Sequence, residues 1–468
     1  MKTSRRQFLK NGAAALSASS VGTVLSSMSS FNALAQSNED DYKAIVCIFL
    51  FGGMDCHDVV LPFDQASWDS YAQIRQSFLN VQGNTRTRSN LLPLNPVNAN
   101  AFGNRQFALP PEMPNIKSLF DNGNAAIIGN VGPLIEPVSK SQFDQDGVRL
   151  PPRLFSHNDQ QATWQASSPE GAQFGWGGLF ADAALAANPN NAKEFTTITS
   201  SGNELFLTGR NAQPYQISTQ GAASVNVLEW LREFEDSAQG QSLLNQVTGH
   251  FEAKRFTSNN LLQQDVATIL ANAYAANEKY NQTQLSAPTL STQFPATPLG
   301  TQLRAVANTI STRTQLQVNR QVFLVGIGGF DTHSQQAQDL PQLLAQLDTG
   351  VAAFYQALQE LNLTNQVTTF TASDFGRTLA VNGDGTDHGW GGHHFVVGGA
   401  VQGNHIYGTI PPASFNHEWD AGGGRLIPSV AVEQLAAPLG RWFGLNDAEL
   451  NSALPNLVNF PDGGVAFI

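Results

Sequence analysis

Acidic and imidazole side chains collect in a few short segments of this chain. Asp55, Cys56, His57 and Asp58 follow Gly52-Gly53, and Asp331 and His333 follow Gly328-Gly329. Asp374 and Arg377 lie in Ser373-Asp374-Phe375-Gly376-Arg377, and Ser156, His157 and Asp159 share Phe155-Ser156-His157-Asn158-Asp159-Gln160. The densest segment is Asn382–His394, NGDGTDHGWGGHH, which holds Asp387, His388, His393 and His394. It takes three of the chain's nine histidines. Carboxylate and imidazole donors together suit a divalent metal such as zinc, manganese or iron, with one ion or two. Paired cations polarise a phosphoryl or sulfuryl oxygen and steady a leaving oxygen. A serine beside them can act as the nucleophile.

Each of these residues also has a plainer reading. An aspartate just after a strand often caps a helix or shapes a turn, which applies to Asp55, Asp331 and Asp374. His393 and His394 are adjacent, so on an extended segment they point to opposite faces and one turns away from any site. His57 reads as a neighbour of a site, and His405 and His417 as surface or supporting residues. Arg377 either balances an anionic substrate or pairs with an aspartate. Trp164, Trp176 and Trp390 read as packing residues before substrate platforms.

These segments need elements to position them. Lys43–Phe51 (KAIVCIFLF) is a continuous apolar run that stops at Gly52-Gly53, the pattern of a strand covered on both faces. Ala125–Val131, Gln321–Ile327 and Val367–Ala372 repeat the pattern, and Phe395–Val401 is a further candidate strand. Leu340, Leu343, Leu344, Leu347, Val351, Phe354, Leu358 and Leu361 form one helical stripe between the third and fourth runs. Strand, helix, strand is a right-handed crossover unit. The expected fold is therefore an α/β sandwich around a mostly parallel sheet, with the acidic and imidazole residues at the carboxyl edge where such sheets bind ligands. The stretches from Val225 to about Tyr280 and from Leu299 to Arg320 read as helical, and Asn277–Pro298 as a loop. Residues 165–315 are expected to be a largely helical insertion or cap.

The amino terminus reads as an export signal. Ser4-Arg5-Arg6-Gln7-Phe8-Leu9-Lys10 is a twin-arginine pattern, followed by a mildly apolar, serine-rich stretch and the small-residue site Ala33-Leu34-Ala35. Residues 1–35 are expected to be that signal and 43–465 the folded domain, periplasmic or secreted. The stretch is too diluted by serine for a stable membrane anchor, which needs about twenty strongly apolar residues. Removing the signal takes away four cations and no acid, which moves the net charge from −12 to −16. Such a charge argues against nucleic acid and anionic membranes as partners. With Cys47 and Cys56 as the two cysteines, this is no disulfide-dense scaffold. Their pairing stays open.

The twin-arginine start, GGMDCHDVVLP, FSHNDQQATWQ with GWGG after it, GGFDTHSQQ, and SDFGRTLAVNGDGTDHGWGGHHFVVGGAV together resemble the bacterial domain-of-unknown-function family 1501. The resemblance covers about residues 43 to 465. It implies a fold like that of the alkaline phosphatase and sulfatase superfamily, a three-layer α/β/α sandwich with an inserted helical subdomain. It also implies a metal held by Asp55, Asp331, His333, Asp374, His388 and His393. Ser156 would be the nucleophile and Arg377 a catalytic partner, with His157, Asp159, Asp387 and His394 as supporting or alternative donors. Phe375 stands where that superfamily places a histidine, and no cysteine lies in a sulfatase-type C/S-x-P-x-R setting.

The implied function is an exported, metal-dependent hydrolase of a phosphate, sulfate or related ester, small or polymeric. The alternative is a non-catalytic exported partner in a periplasmic complex, for which a protein of domain family 1800 is the partner the resemblance suggests. A carbohydrate- or polymer-binding role is the third reading.

Overall fold

The run KAIVCIFL forms strand β1 (Lys43–Leu50), with residues buried on both faces. In the computed structural model, residues 41–468 are described except 146, 203–204, 219–220, 223–236, 244, 247–248 and 250–259. The expected signal at 1–35 lies outside the described residues, as does most of the stretch from Val225 to Asn260. From Lys43 onward the chain forms one compact unit.

One large sheet contains β1, β2 (Ala125–Gly132), β3 (Thr197–Thr199), β4 (Tyr215–Ser218), β5 (Gly221–Ala222), β6 (Arg320–Ile327), β7 (Val367–Ser373), β8 (Gly392–Val397), β9 (Ile406–Gly408) and β10 (Val430–Ala431). The strand order is β9-β2-β8-β7-β1-β6-β3-β4-β5, and β10 pairs with β2. β1 runs parallel to both β6 and β7, and β3 continues the parallel set beyond β6. β8 is antiparallel to β7 and to β2. The sheet is therefore mainly parallel, with one reversed strand in its interior.

Helices cover both faces. Ile45, Cys47 and Phe49 point into a core with Trp176 and Phe180 of α3 (Trp176–Ala187) and Leu435 and Leu439 of α7 (Val432–Phe443). Alternation sends Ala44, Val46, Ile48 and Leu50 to the opposite face, where they are equally buried. There α5 (Pro298–Ser311) packs on β6, tied by Gln302 Nε2 donating to Gly326 O at 2.9 Å. α6 (Gln336–Glu360) packs on α5 in turn. This is the α/β fold with helices on both sides of a parallel sheet that the apolar runs predict. Of the predicted stripe, Leu340, Leu344, Leu347, Val351, Phe354 and Leu358 are buried.

The segment 165–315 supplies α3, α4 (Leu261–Leu285) and α5, and also β3, β4 and β5, which extend the sheet at one edge. Helix α4 runs nine residues, 277–285, into the stretch expected to be loop. Cys47 and Cys56 are both buried and are not joined by a disulfide. Among the described residues no helix is long and apolar enough to cross a membrane.

Candidate metal centre

Parallel pairing aligns Leu50 with both Ile327 and Ser373, so β1, β6 and β7 end level with one another. The loops that follow carry Asp55, Asp331, His333, Asp374 and Arg377 to a single edge. At that edge the backbone approaches itself closely. Gly52 has φ +116°, and a Cβ on it would lie 2.3 Å from the Asp331 backbone nitrogen. Gly376 is equally confined, since a Cβ there would sit 2.1 Å from Gly391 O. The loop after β7 folds back as a ribbon, with Gly389 N–H donating to Gly376 O at 2.8 Å and Arg377 bridging to His388. That ribbon returns His388 to the edge.

A fourth contribution comes from α2 (His157–Ala166), whose first residue is His157. One donor atom from each of His157, Asp331 and His388 lies within 4.8 Å of the others. His388 Nε2 is 3.2 Å from Asp331 Oδ1, and His157 Nε2 is 3.4 Å from Asp331 Oδ2. His333 Nε2 joins at 2.8 Å from His388 Nε2 and 3.1 Å from Asp331 Oδ1. Three imidazoles thus present Nε2 around one carboxylate.

The far side of two rings is anchored. His388 Nδ1 donates to Phe155 O at 2.8 Å, which leaves its Nε2 as a lone-pair donor. His157 Nδ1 lies 2.5 Å from Asp374 Oδ2. Asp374 also accepts from Gly52 N–H at 3.1 Å and Gln161 Nε2 at 2.7 Å, so its carboxylate is held rigidly. Metal-binding histidines characteristically donate their other N–H to a carboxylate or carbonyl in this way.

Charge at the cluster follows from these contacts. Partial burial works against ionising Asp331, yet the bond and charge of Arg377 keep its carboxyl below the ordinary value. Arg377 Nη1 donates to Asp331 Oδ1 at 2.9 Å, and Arg377 is itself fully buried, bonding Gly52 O and both oxygens of Thr386. The hydrogen bond to Asp374 raises the His157 pKa, whereas burial lowers that of His388. The donor set fits a divalent ion that takes nitrogen and oxygen ligands.

The other residues singled out from the sequence lie apart from this group. Asp55 is buried with Arg75, whose Nη1 is 2.7 Å from its Oδ2, and it also accepts from Gln336 Nε2 and from His57 N–H. Burial pushes the Asp55 carboxyl up, and Arg75 more than reverses this, so its pKa is lowered overall. His393 and His394 belong to β8 and diverge as adjacent strand residues must. Asn130 N–H donates to His393 Nδ1 at 2.9 Å. Thr371 Oγ1 and His394 Nδ1 are hydrogen-bonded at 3.3 Å, and the Trp164 ring meets His394 edge-on at 4.9 Å. Ser156 Oγ donates to Asp159 Oδ2 at 3.0 Å, next to His157 in sequence. Asp387 accepts from Asn382 Nδ2 at 3.0 Å and stands 4.0 Å from His333 Nδ1.

The family described as protein of unknown function (DUF1501) matches residues 42–452. The chain belongs to DUF1501. A search of curated proteins finds no match for this DUF1501 chain. Among solved structures it is similar to Ps i-CgsB, at 11% identity over 90% of this chain and 77% of that one, TM-score 0.36. The periplasmic domain of EcEptC from Escherichia coli, solved as a zinc complex, is 8% identical over 78% of this chain and 76% of that one, TM-score 0.31. The alkaline phosphatase from the Antarctic bacterium TAB5 is 11% identical over 76% of this chain and 91% of that one, TM-score 0.25.

Three supporting residues of this DUF1501 chain escape sequence reasoning. Gln161 bonds Asp374 and Gln336 bonds Asp55, each across more than 200 positions, and Arg75 bonds Asp55 from the turn between two helices. The QQ pair within FSHNDQQATWQ is the one local signal, since Gln161 sits one turn after His157 on α2. Phe375 occupies the position where the resemblance implies an imidazole, and the His157 ring packs on it at 4.8 Å between centroids.

Asp374→Asn should test this anchoring. An amide at 374 keeps the shape but removes the charge facing His157 Nδ1. Zinc affinity measured against a competing chelator is expected to fall about 10- to 100-fold with the melting temperature little changed. Unchanged affinity would show that Asp374 does not govern His157.

Proposed function

We propose that this protein is a metal-dependent hydrolase of phosphate, sulfate or related esters, exported by the twin-arginine route. The observation that carries the reading is the convergence of His157, His333 and His388 Nε2 on Asp331, with His157 and His388 fixed from behind. In this reading His157, His388, Asp331 and His333 hold one divalent ion. When bound, such an ion polarises a phosphoryl or sulfuryl oxygen. Arg377 keeps the Asp331 carboxylate ionised and aimed. Asp374 fixes the His157 tautomer, and Phe155 O fixes that of His388. Ser156 is the candidate nucleophile, and Asp159, which already accepts its hydrogen bond, is placed to take its proton. The expected superfamily fold is consistent with the reaction class.

The test combines turnover with metal loading. Purified protein is loaded with zinc or manganese and offered aryl phosphate and aryl sulfate esters. Turnover that disappears in both Asp331→Ala and His388→Ala, and that needs the ion, is expected. Turnover indifferent to both substitutions would refute the reading.

A second reading, a partner protein of a periplasmic complex, has one observation in its favour. Leu262, Val266, Ile269 and Leu270 of α4 are 48–70% exposed and fall on one helical stripe. A domain family 1800 protein is the partner proposed. Co-purification that survives Val266→Glu with Ile269→Glu would exclude that face as the contact.

A further inference from the structure

The metal cluster opens on one side into a cleft of about 420 Å³ lined by Phe143, Phe155, His333, Asp387, His388 and Arg425, with Ala421 at its margin. Arg377 is fully buried and its donors are taken, so it does not reach this space. Arg425 does. Its Nε donates to His388 O at 2.9 Å and its Nη1 to Gly422 O at 3.0 Å, which aims the guanidinium along the cleft wall. Its charge centre lies 5.4 Å from the centre of the Phe155 ring, which gives it a flat apolar backing. Among the described residues no carboxylate is paired with it. Asp387, the acid in the cleft, is instead bonded to Asn382 and turned toward His333. In a chain of net charge −12, an unpaired guanidinium held beside a His/Asp cluster is a local positive site.

We propose that Arg425 binds the anionic group of the substrate while Phe155 and Phe143 hold a flat, ring-shaped alcohol portion. The substrate class is then an aryl or similarly planar phosphate or sulfate ester. The inference rests on the hydrolase reading and adds its substrate class and a specificity residue. A guanidinium suits this task because its planar donors match phosphate and sulfate oxygens in pairs. The aromatic walls gain from a planar group and give nothing to a methyl ester of the same charge.

The test uses unreactive probes, phenylphosphonate and methylphosphonate, titrated calorimetrically into the full-length mature protein, both metal-loaded and stripped with chelator. The wild-type protein is expected to bind phenylphosphonate about tenfold more tightly than methylphosphonate. Arg425→Gln should weaken both by about tenfold or more, and Arg425→Lys should restore part of the loss. Phe155→Ala, which keeps the Phe155 carbonyl, should close the gap between the two probes. Circular dichroism on each variant guards against misfolding, and Arg425→Lys serves if Arg425→Gln does not fold. Equal binding of both probes to wild-type, or affinities untouched by either Arg425 variant, would overturn the inference. Failure of the hydrolase reading is separable: if no ion is taken up but stripped protein still shows Arg425-dependent binding, the anion site stands. If ions load normally and the Arg425 variants bind like wild-type, the anion site alone falls.

Discussion

Between pH 6.5 and about 4 the folded chain is expected to lose stability at up to about 4 kcal/mol per pH unit. The cause is three buried imidazoles that stay neutral in the fold. Burial lowers the pKa of His57 from the ordinary 6.5 to about 4, and those of His393 and His394 to about 3. In this window the unfolded chain binds a proton at each and the folded chain does not. Stability therefore falls as pH falls, by about 1.4 kcal/mol per unit for each group. His57 Nε2 donates to Gly424 O at 2.9 Å and His393 accepts at Nδ1. The nearby Asp55 carboxylate favours a charged His57, but burial outweighs it, and burial is the leading cause at His393 and His394 as well. His157 works in the opposite sense, because its raised pKa adds stability as pH drops toward 6.5. That contribution is complete by 6.5 and does not soften the slope below it. Urea unfolding at pH 7, 6 and 5 measures the effect. Proton uptake of about three per molecule on unfolding near pH 5 is expected. Stability that is flat across the range would remove the buried neutral imidazoles from the account.

Replacing Arg75 by methionine is expected to cost about 3–5 kcal/mol, because it strands the Asp55 carboxylate in the interior. Both side chains are completely buried, and the pair is 2.7 Å apart. The same guanidinium bonds Leu379 O at 2.8 Å and Thr378 O at 3.0 Å, so it also ties the loop after β7 to the loop after β1. Among the described residues Asp55 has no second ion-pair partner, and its other bonds come from Gln336 and the His57 amide. Adding Asp55→Asn to Arg75→Met should recover part of the loss, since the uncompensated charge is then gone. A shift in urea midpoint worth less than about 1 kcal/mol in Arg75→Met would mean that the pair is not what holds these loops.

Much of the frame was legible in the sequence because covered parallel strands leave a local signature. β1, β2, β6 and β7 start and stop within a residue or two of the apolar runs, and the glycine pairs after β1 and β6 mark the edge where Asp331, His333, Asp374 and Arg377 gather. β8 was less legible. It runs Gly392–Val397, earlier than the expected Phe395–Val401, because two imidazoles satisfied by one hydrogen bond each can be buried as strand residues. Sequence polarity does not reveal that. The loop NGDGTDHGWGGHH therefore divides: His388 reaches the cluster, while His393 and His394 enter the interior. His157 was visible as a supporting or alternative donor, and its placement depends on α2 crossing to Asp374, 217 positions away. Arg75 and Asp55 meet through tertiary packing that no spacing rule announces. Phe375 likewise gains its sense only in three dimensions, as the floor on which the His157 and His388 rings rest at 4.8 and 4.6 Å.

The central claim is that His157, Asp331, His333 and His388 form one metal centre. Elemental analysis of protein purified in its folded state, alongside Asp331→Ala and His388→Ala, tests it most directly. About one equivalent of a divalent transition metal in the wild-type protein, with loss in both variants while they keep their fold, is the predicted result. A wild-type protein that takes up no metal on incubation with zinc or manganese, or variants that retain a full equivalent, would contradict it.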